Sequence, residues 1–386
     1  MSTPIKWPSW PQYGQEEYAA VEKVIRSNQL FAAKEVELFE EQFSTYIGTK
    51  FAIGLGNATQ GLHLALAALD IGVGDEVIVT PYSWISTASC ILMQNAVPVF
   101  CDIEPESFGM DPQKLEEKIT KHTKAIIVVH MFGYPSKIRE LQAIAQKYGI
   151  PLIEDASHAH GASVNGQKIG TFGALSVFSL HQRKSLSVGD GGIICTDNEE
   201  IRDKIYRLRS FGDSELSYNY RMTEFAGALG QVGLRKLDYQ NKQRIQNAHF
   251  LTELLKDLTP GLEVVCVREN EVGVFYAVLI RINTEIEHLD KKLLALQNAG
   301  IPIRKTWEPL HLHPHFNPPT QPPARGLPWH DPRYSGIMKN KIFSDLELPM
   351  VEKYCPHQLL EFYVHPPTGS TELEFAAKML KREFLL

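Results

Sequence analysis

Apolar and polar positions along the chain fall into two alternating textures. Runs such as Val77-Ile78-Val79, Ala125-Ile126-Ile127-Val128-Val129 and Leu152-Ile153 are apolar at every position. Strands of that kind are covered on both faces. Between them lie segments whose apolar positions recur three and four residues apart, as in helices with one buried side. The pattern predicts polar helical structure over 14–48, a strand at 51–56 and an Ala-rich buried helix at 62–69. Strands follow at 76–80 and 97–102, with a helix at 86–94 between them. Then come a helix at 111–118, a strand at 125–129, a helix at 137–148, and strands at 151–155, 174–179 and 192–196. Such alternation indicates an α/β fold with a mostly parallel central sheet flanked by helices.

Residues 223–258 read as helix-rich. Beyond Leu258-Thr259-Pro260-Gly261 the texture changes to a strand at 274–282, a helix at 290–298 and a strand at 301–305. This places a large α/β domain over 14–245 and a smaller C-terminal α+β domain over 246–386, with the N-terminal segment 1–13 packing on the smaller one. Residues 309–332 gather eight of the 23 prolines, together with His311, His313, His315 and His330, and read as a loop.

Composition narrows the function classes. In 386 residues, 39 Lys and Arg stand against 45 Asp and Glu, for a net charge of −6. That balance gives no basic footprint for nucleic acid and no signature of disorder. The length exceeds what one hydrophobic core holds, in keeping with two domains. The five cysteines are widely spaced and include no C-x-x-C, which argues against a disulfide framework and a zinc site. They read as buried free thiols. The proline-bearing N-terminus has no apolar core of a signal peptide, and no apolar run approaches about 18 residues. The expectation is a cytoplasmic protein without a membrane or nucleic-acid partner.

Ligands in α/β sheets bind beyond the carboxyl ends of strands, and three candidates fall there. Gly54 to Gly61 runs from a strand into a helix. Its small residues and the helix N-terminus suit an anion, although a tight turn capped by Asn57 explains them as well. Asp155 ends a buried strand and is followed by Ser157, His158 and His160. A buried carboxylate needs a partner, and a metal, a ribose or a protonated ring nitrogen would serve. One carboxylate with two unmatched histidines makes a poor metal set, so no metal is expected, and His160 reads as a structural histidine. Lys184 lies between the strand ending at Ser179 and the turn Gly189-Asp190-Gly191-Gly192. It is either a solvated surface charge or a desolvated amine able to form a Schiff base. Together, an anion cradle, an Asp after a strand and a later lysine form the set required by pyridoxal 5′-phosphate.

The chain resembles the DegT/DnrJ/StrS family of pyridoxal-phosphate-dependent sugar aminotransferases almost end to end. The marks are Asn57–Leu66, Gly74–Trp84, Pro98–Asp102, Glu154–Ala162, the Lys184 segment with Gly189–Gly192, and Tyr218–Glu224. The resemblance implies the fold-type I transferase architecture and a set of roles. Lys184 is the Schiff-base lysine and Asp155 the pyridinium partner. His158 lies near the cofactor's phenolic oxygen, and Trp84 stacks on the pyridine face. Ala58, Thr59 and Ser179 contact the phosphate, and Asn219 reaches it from the neighbouring subunit of a homodimer with shared active sites. Tyr220, Arg221, His181, His311 and His313 are candidates for substrate contact. The cradle departs from the family's usual Ser-Gly-Thr, and Gly189-Asp190-Gly191-Gly192 stands for Gly-Glu-Gly-Gly. The implied reaction moves an amino group from L-glutamate or L-glutamine to a nucleotide-linked keto-sugar or a keto-cyclitol. The segments Trp7–Tyr13 and Tyr354–Pro367 are similar to enzymes acting on substrates without a nucleotide. Alternatives are a dehydratase, an aromatising synthase of the 3-amino-5-hydroxybenzoate type, or a non-catalytic cofactor-binding regulator. Relatives that dehydrate sugars carry His in place of the lysine, so Lys184 argues against dehydration.

Overall fold

The computed structural model describes residues 4–31, 33–211, 216–317, 333 and 343–384. The helical segment 14–48 forms two helices, α1 (Gln15–Ser27) and α2 (Lys34–Ile47). Asn28, in the left-handed region at φ 55°, ends α1, a backbone state that Asn tolerates better than most side chains. Strands and helices then alternate as β1 (Phe51–Leu55), α3 (Ala58–Ala68), β2 (Glu76–Val79), α4 (Ser86–Met93) and β3 (Val97–Phe100). They continue as α5 (Pro112–Lys118), β4 (Thr123–Val129), α6 (Ile138–Tyr148) and β5 (Leu152–Asp155). A short hairpin, β6 (Ser163–Val164) and β7 (Gln167–Lys168), precedes β8 (Leu175–Ser179), β9 (Gly192–Thr196) and α7 (Glu199–Arg209).

Seven of these strands form the central sheet in the order β1-β9-β8-β5-β4-β2-β3. β9 runs antiparallel to both neighbours, and the remaining pairs are parallel. Nearly every residue of these strands is buried, as a sheet covered by helices on both faces requires. Each parallel strand therefore delivers its last residue to the same edge, where α3, α4 and the turns after β5 and β8 begin.

The helix-rich stretch is a single helix of 32 residues, α8 (Glu224–Leu255). The expected domain boundary after residue 245 falls inside it. Its first turns lie close against α2. A Cβ on Gly227 would stand 2.7 Å from the Val36 amide nitrogen, and one on Gly230 would stand 2.7 Å from the Phe39 ring. Further along, Asn247 donates to the carbonyls of Val364 and Thr368 at 3.0 and 2.9 Å.

Beyond α8 lie β10 (Leu262–Val264), β11 (Glu271–Val272), β12 (Val278–Ile282), α9 (Leu289–Asn298) and β13 (Ile303–Lys305). The chain finishes with α10 (Pro349–Tyr354), β14 (Leu359–Phe362) and α11 (Ser370–Phe384). An antiparallel sheet joins them in the order β10-β12-β14-β13, while β11 pairs with β6. The strand expected from 274 starts only at Val278. Phe275 sits at φ 47°, which no strand accommodates. The N-terminal segment touches both parts. Ile5 donates its amide to Ala299 at 3.0 Å, Trp7 packs edge-on against Phe362, and Trp10 Nε1 donates to the Lys184 carbonyl at 3.0 Å.

Four cysteines are buried, but Cys266 is exposed. The contrast follows from position, since Cys266 lies in the loop after β10. No metal-binding cluster occurs among the described residues. No helix among them is long and apolar enough to cross a membrane.

Candidate active site

The switch from β1 to α3 builds the anion cradle. Asn57 caps α3, its side chain accepting the Gln60 amide at 2.9 Å. The amides of Ala58 and Thr59, at the first two helical positions, have no acceptor in the helix. They remain available to an anion. Gly192 makes the close packing possible. A Cβ there would lie 2.4 Å from the Asn57 carbonyl carbon and 2.6 Å from the Ala58 nitrogen. Thr59 Oγ1 donates to Ser86 Oγ at 2.7 Å, which ties α3 to the start of α4.

Asp155 closes β5 and is buried. Thr87 Oγ1 donates to its Oδ2 at 2.7 Å and the Ser157 amide to its Oδ1 at 3.2 Å. Ser83 sits behind Thr87 at 2.7 Å. Two bonds leave carboxylate lone pairs unfilled, since an ionised carboxyl accepts about four.

Lys184 lines the same cavity as Asp155. Its Nζ lies 4.9 Å over the Tyr276 ring. Protein surrounds the amine, and burial pushes its pKa down from 10.5 to about 8. The positive charge of Arg183 pushes the same way, and Asp155 opposes both. His158 stacks on the same Tyr276 ring, 4.3 Å from it and nearly parallel. Burial, then the charge of Lys184, drives its imidazole well below the ordinary histidine range. The ring is therefore neutral. Its Nδ1 accepts the Phe132 amide at 3.2 Å, so the proton belongs on Nε2. Nε2 is buried with no partner among the described residues, which leaves a donor unsatisfied.

These groups line one cavity of about 580 Å³, with Ala58, Thr59, Trp84, Asp155, His158, Ser179, His181 and Lys184 all in its wall. Trp84 is 58% exposed and meets Trp307 edge-on at 5.5 Å. The cavity suits pyridoxal phosphate on structural grounds. It offers amides for a phosphate, a carboxylate with spare capacity, an unsatisfied N–H donor and a desolvated amine.

Other expected residues lie elsewhere. His311 is fully buried against Phe100 and pairs with Glu352 at 3.1 Å, and neither it nor His313 lines the cavity. The backbone explains this: residues 310–312 form a short 3₁₀ turn whose imidazole points into the core. His330 lies outside the described residues. Asn219, Tyr220 and Arg221 also stay off this chain's cavity. Tyr220 stacks on Tyr218 and pairs with His63 Nδ1 at 3.1 Å, while Asn219 is exposed and accepts from Arg221 at 3.1 Å. The sequence reading missed Thr87, Arg183, Tyr276, Arg304 and Trp307, all of which line the cavity. Only Arg183, beside Lys184, carried a signal in its position.

Comparison with known proteins agrees with the chemistry of the cavity. The model of the DegT/DnrJ/EryC1/StrS aminotransferase family matches residues 11–355. L-glutamine:scyllo-inosose aminotransferase of Streptomyces griseus is 33% identical over 361 residues, covering 85% of this chain and 83% of that protein. GDP-perosamine synthase of Vibrio cholerae is 33% identical over 295 residues, covering 73% of this chain and 79% of that one. Among solved structures, DesV of S. venezuelae, in complex with a ketimine intermediate, matches with a TM-score of 0.83 and 27% identity over 95% of this chain and 94% of its own. The protein is an aminotransferase that works with pyridoxal 5′-phosphate, and the chain belongs to the DegT/DnrJ/EryC1/StrS aminotransferase family.

Proposed function

We propose that this enzyme takes the amino group of L-glutamine or L-glutamate and delivers it to the carbonyl of a keto-sugar or keto-cyclitol. The observation that carries the reading is the convergence of Lys184, Asp155, His158 and the N-terminus of α3 on one cavity. The names of the relatives support both acceptor classes, one a free cyclitol and the other a nucleotide-linked sugar.

The residues divide the work. The amides of Ala58 and Thr59 and the hydroxyl of Ser179 would hold the cofactor's phosphate. Asp155 would keep a proton on the pyridine nitrogen, and His158 Nε2 would donate to the phenolic oxygen. When bound, the cofactor supplies an electron sink and carries the amino group between the two half-reactions. Lys184, its pKa pushed down to about 8 by burial, is neutral in about a tenth of the molecules at pH 7. It is therefore a competent nucleophile, and afterwards a base that moves the proton off the donor's α-carbon. Trp84 would cover the open face of the site.

We read the working form as a homodimer. Exposed Phe31 and Phe211 flank the Arg221 guanidinium at 4.9 and 5.1 Å, next to exposed Asn219. A second copy would bury this patch and bring Asn219 toward its cradle.

The test is spectroscopic. The purified, cofactor-loaded protein should be yellow. L-glutamine or L-glutamate should bleach its visible band, and a keto-sugar or inosose should restore it. A band that ignores both amino donors would exclude the reading.

A further inference from the structure

Two cavities meet at a pair of arginines. Behind the site described above lies a second cavity of about 430 Å³, walled by Trp7, Trp10, Ile303, Tyr363 and His365. Arg183 and Arg304 line both. Their surroundings differ. Arg304 forms an ion pair with Glu361, a fully buried carboxylate, and donates to Tyr363 Oη at 2.9 Å. Tyr363 in turn donates to Glu361 Oε2 at 3.1 Å. That charge is committed.

Arg183 has no side-chain hydrogen bond or ion pair among the described residues. Its charge nevertheless reaches Lys184 and Glu361. The other acidic groups of the first cavity have their own attachments. Asp155 is held by Thr87 and Ser157, and Asp190 accepts the Gly191 amide at 3.1 Å. An exposed guanidinium with no side-chain partner among the described residues thus lines both cavities, one residue from the reacting amine.

We propose that Arg183 is the receptor for an oxyanion of the substrate and so selects which substrates the site accepts. The inference rests on the aminotransferase reading. A donor amine brought to Lys184 carries its α-carboxylate two covalent bonds away, within the neighbourhood of the adjacent residue. A phosphate-linked acceptor reaches the same guanidinium from the second cavity, whose aromatic walls then hold the remainder. Either anion matches the planar fork of arginine, which binds carboxylate or phosphate through two parallel bonds. The turn geometry favours this use of the side chain. The Gln182 amide bonds the Gly189 carbonyl at 2.7 Å, and the Lys184 amide bonds the His181 carbonyl at 2.8 Å. Arg183 is therefore carried on a braced turn rather than on a loose loop.

The experiment uses the cofactor-loaded enzyme and two probes that cannot be transaminated, glutarate and inorganic pyrophosphate. Each is titrated by tryptophan fluorescence, because Trp84 and Trp307 line the first cavity and Trp7 and Trp10 the second. Arg183→Gln should weaken one probe by about 10- to 100-fold, the range for a lost hydrogen bond to a charged group. Arg183→Lys should recover part of the loss, since a point charge lacks the fork. A loss confined to glutarate assigns the donor's carboxylate, and a loss confined to pyrophosphate assigns an acceptor phosphate. Equal binding of both probes to wild type and Arg183→Gln overturns the proposal, as does failure of the wild type to bind either. An unchanged visible band and melting temperature confirm that the variants are folded. If wild type fails to react with either amino donor, the aminotransferase reading falls while the titrations still decide the role of Arg183.

Discussion

Glu154 and Asp155 are consecutive, both buried, and both at the end of β5, yet they live in different worlds. Successive strand residues face opposite sides of a sheet. Glu154 is fully engaged. Its Oε1 accepts the amides of Phe172 and Gly173 at 2.7 Å each, and its Oε2 accepts the Gly170 amide at 2.8 Å and meets His130 Nε2 at 3.3 Å. Asp155, one residue on, has two donors and opens onto a cavity. The histidines repeat the contrast. His130 is bonded at both ring nitrogens, whereas His158 leaves Nε2 without a partner among the described residues. The lesson is that burial and charge do not mark a functional group by themselves. What separates the two carboxylates is the capacity each has left over. A group whose bonds are all internal holds the fold, and a group with bonds to spare can hold something else.

The contrast can be broken from either side. Asp155→Ala should cut turnover by at least about 10³-fold, in keeping with the loss of a group that sustains the proton transfers. The melting temperature should move little, because few internal bonds are lost. Steady-state kinetics beside a thermal melt checks both halves. A large drop in stability with unaltered kinetics would invert the assignment. Glu154→Ala should do the reverse. Removing the carboxylate leaves the buried amides of Gly170, Phe172 and Gly173 without an acceptor, at about 1–3 kcal/mol for each unsatisfied group, measurable by urea unfolding. The fraction that remains folded should still show the visible band when loaded.

A smaller effect concerns Lys184. A lysine whose folded pKa lies below its unfolded value resists protonation in the fold. Its burial cost is therefore complete below pH 8 and fades as the pH rises from about 8 toward 10.5. Lys184→Met should stabilise the cofactor-free protein by about 3 kcal/mol at pH 7, and that gain should shrink across this window. Melts of both proteins from pH 6 to above pH 10 would show it. A gain that does not vary with pH would mean that packing, not the charge, is responsible.

Much of this could be seen in the amino-acid sequence because the relevant signals are local. Asn57 at the start of α3, Asp155 at the end of β5 and Lys184 between β8 and β9 each stand where a strand gives way to something else. That position is recognisable from hydrophobic texture alone. Thr87, Tyr276, Arg304 and Trp307 reach the same cavity from scattered segments, and no local pattern links a residue at 87 to one at 307. The helical texture of 223–258 was equally plain, but whether it was one helix or several depended on packing. Gly227 and Gly230, weak helix formers by propensity, mark close approach to α2 rather than interruption. The histidines of the proline-rich stretch misled for the opposite reason. Their composition suggested a loop open to ligands, yet His311 is an interior residue bonded to Glu352.

The contact of Trp10 with the Lys184 carbonyl has a consequence in time. The two residues are 174 positions apart, and the same segment also docks on Ala299 and Phe362. During synthesis it emerges long before any of these partners exists, and contacts of such long sequence separation are slow to form. Trp7 must therefore stay unpaired until Phe362 has been made. Trp10, which bonds the lysine's turn, also stacks on His365 at 5.1 Å, so a chain truncated before His365 would lack that brace.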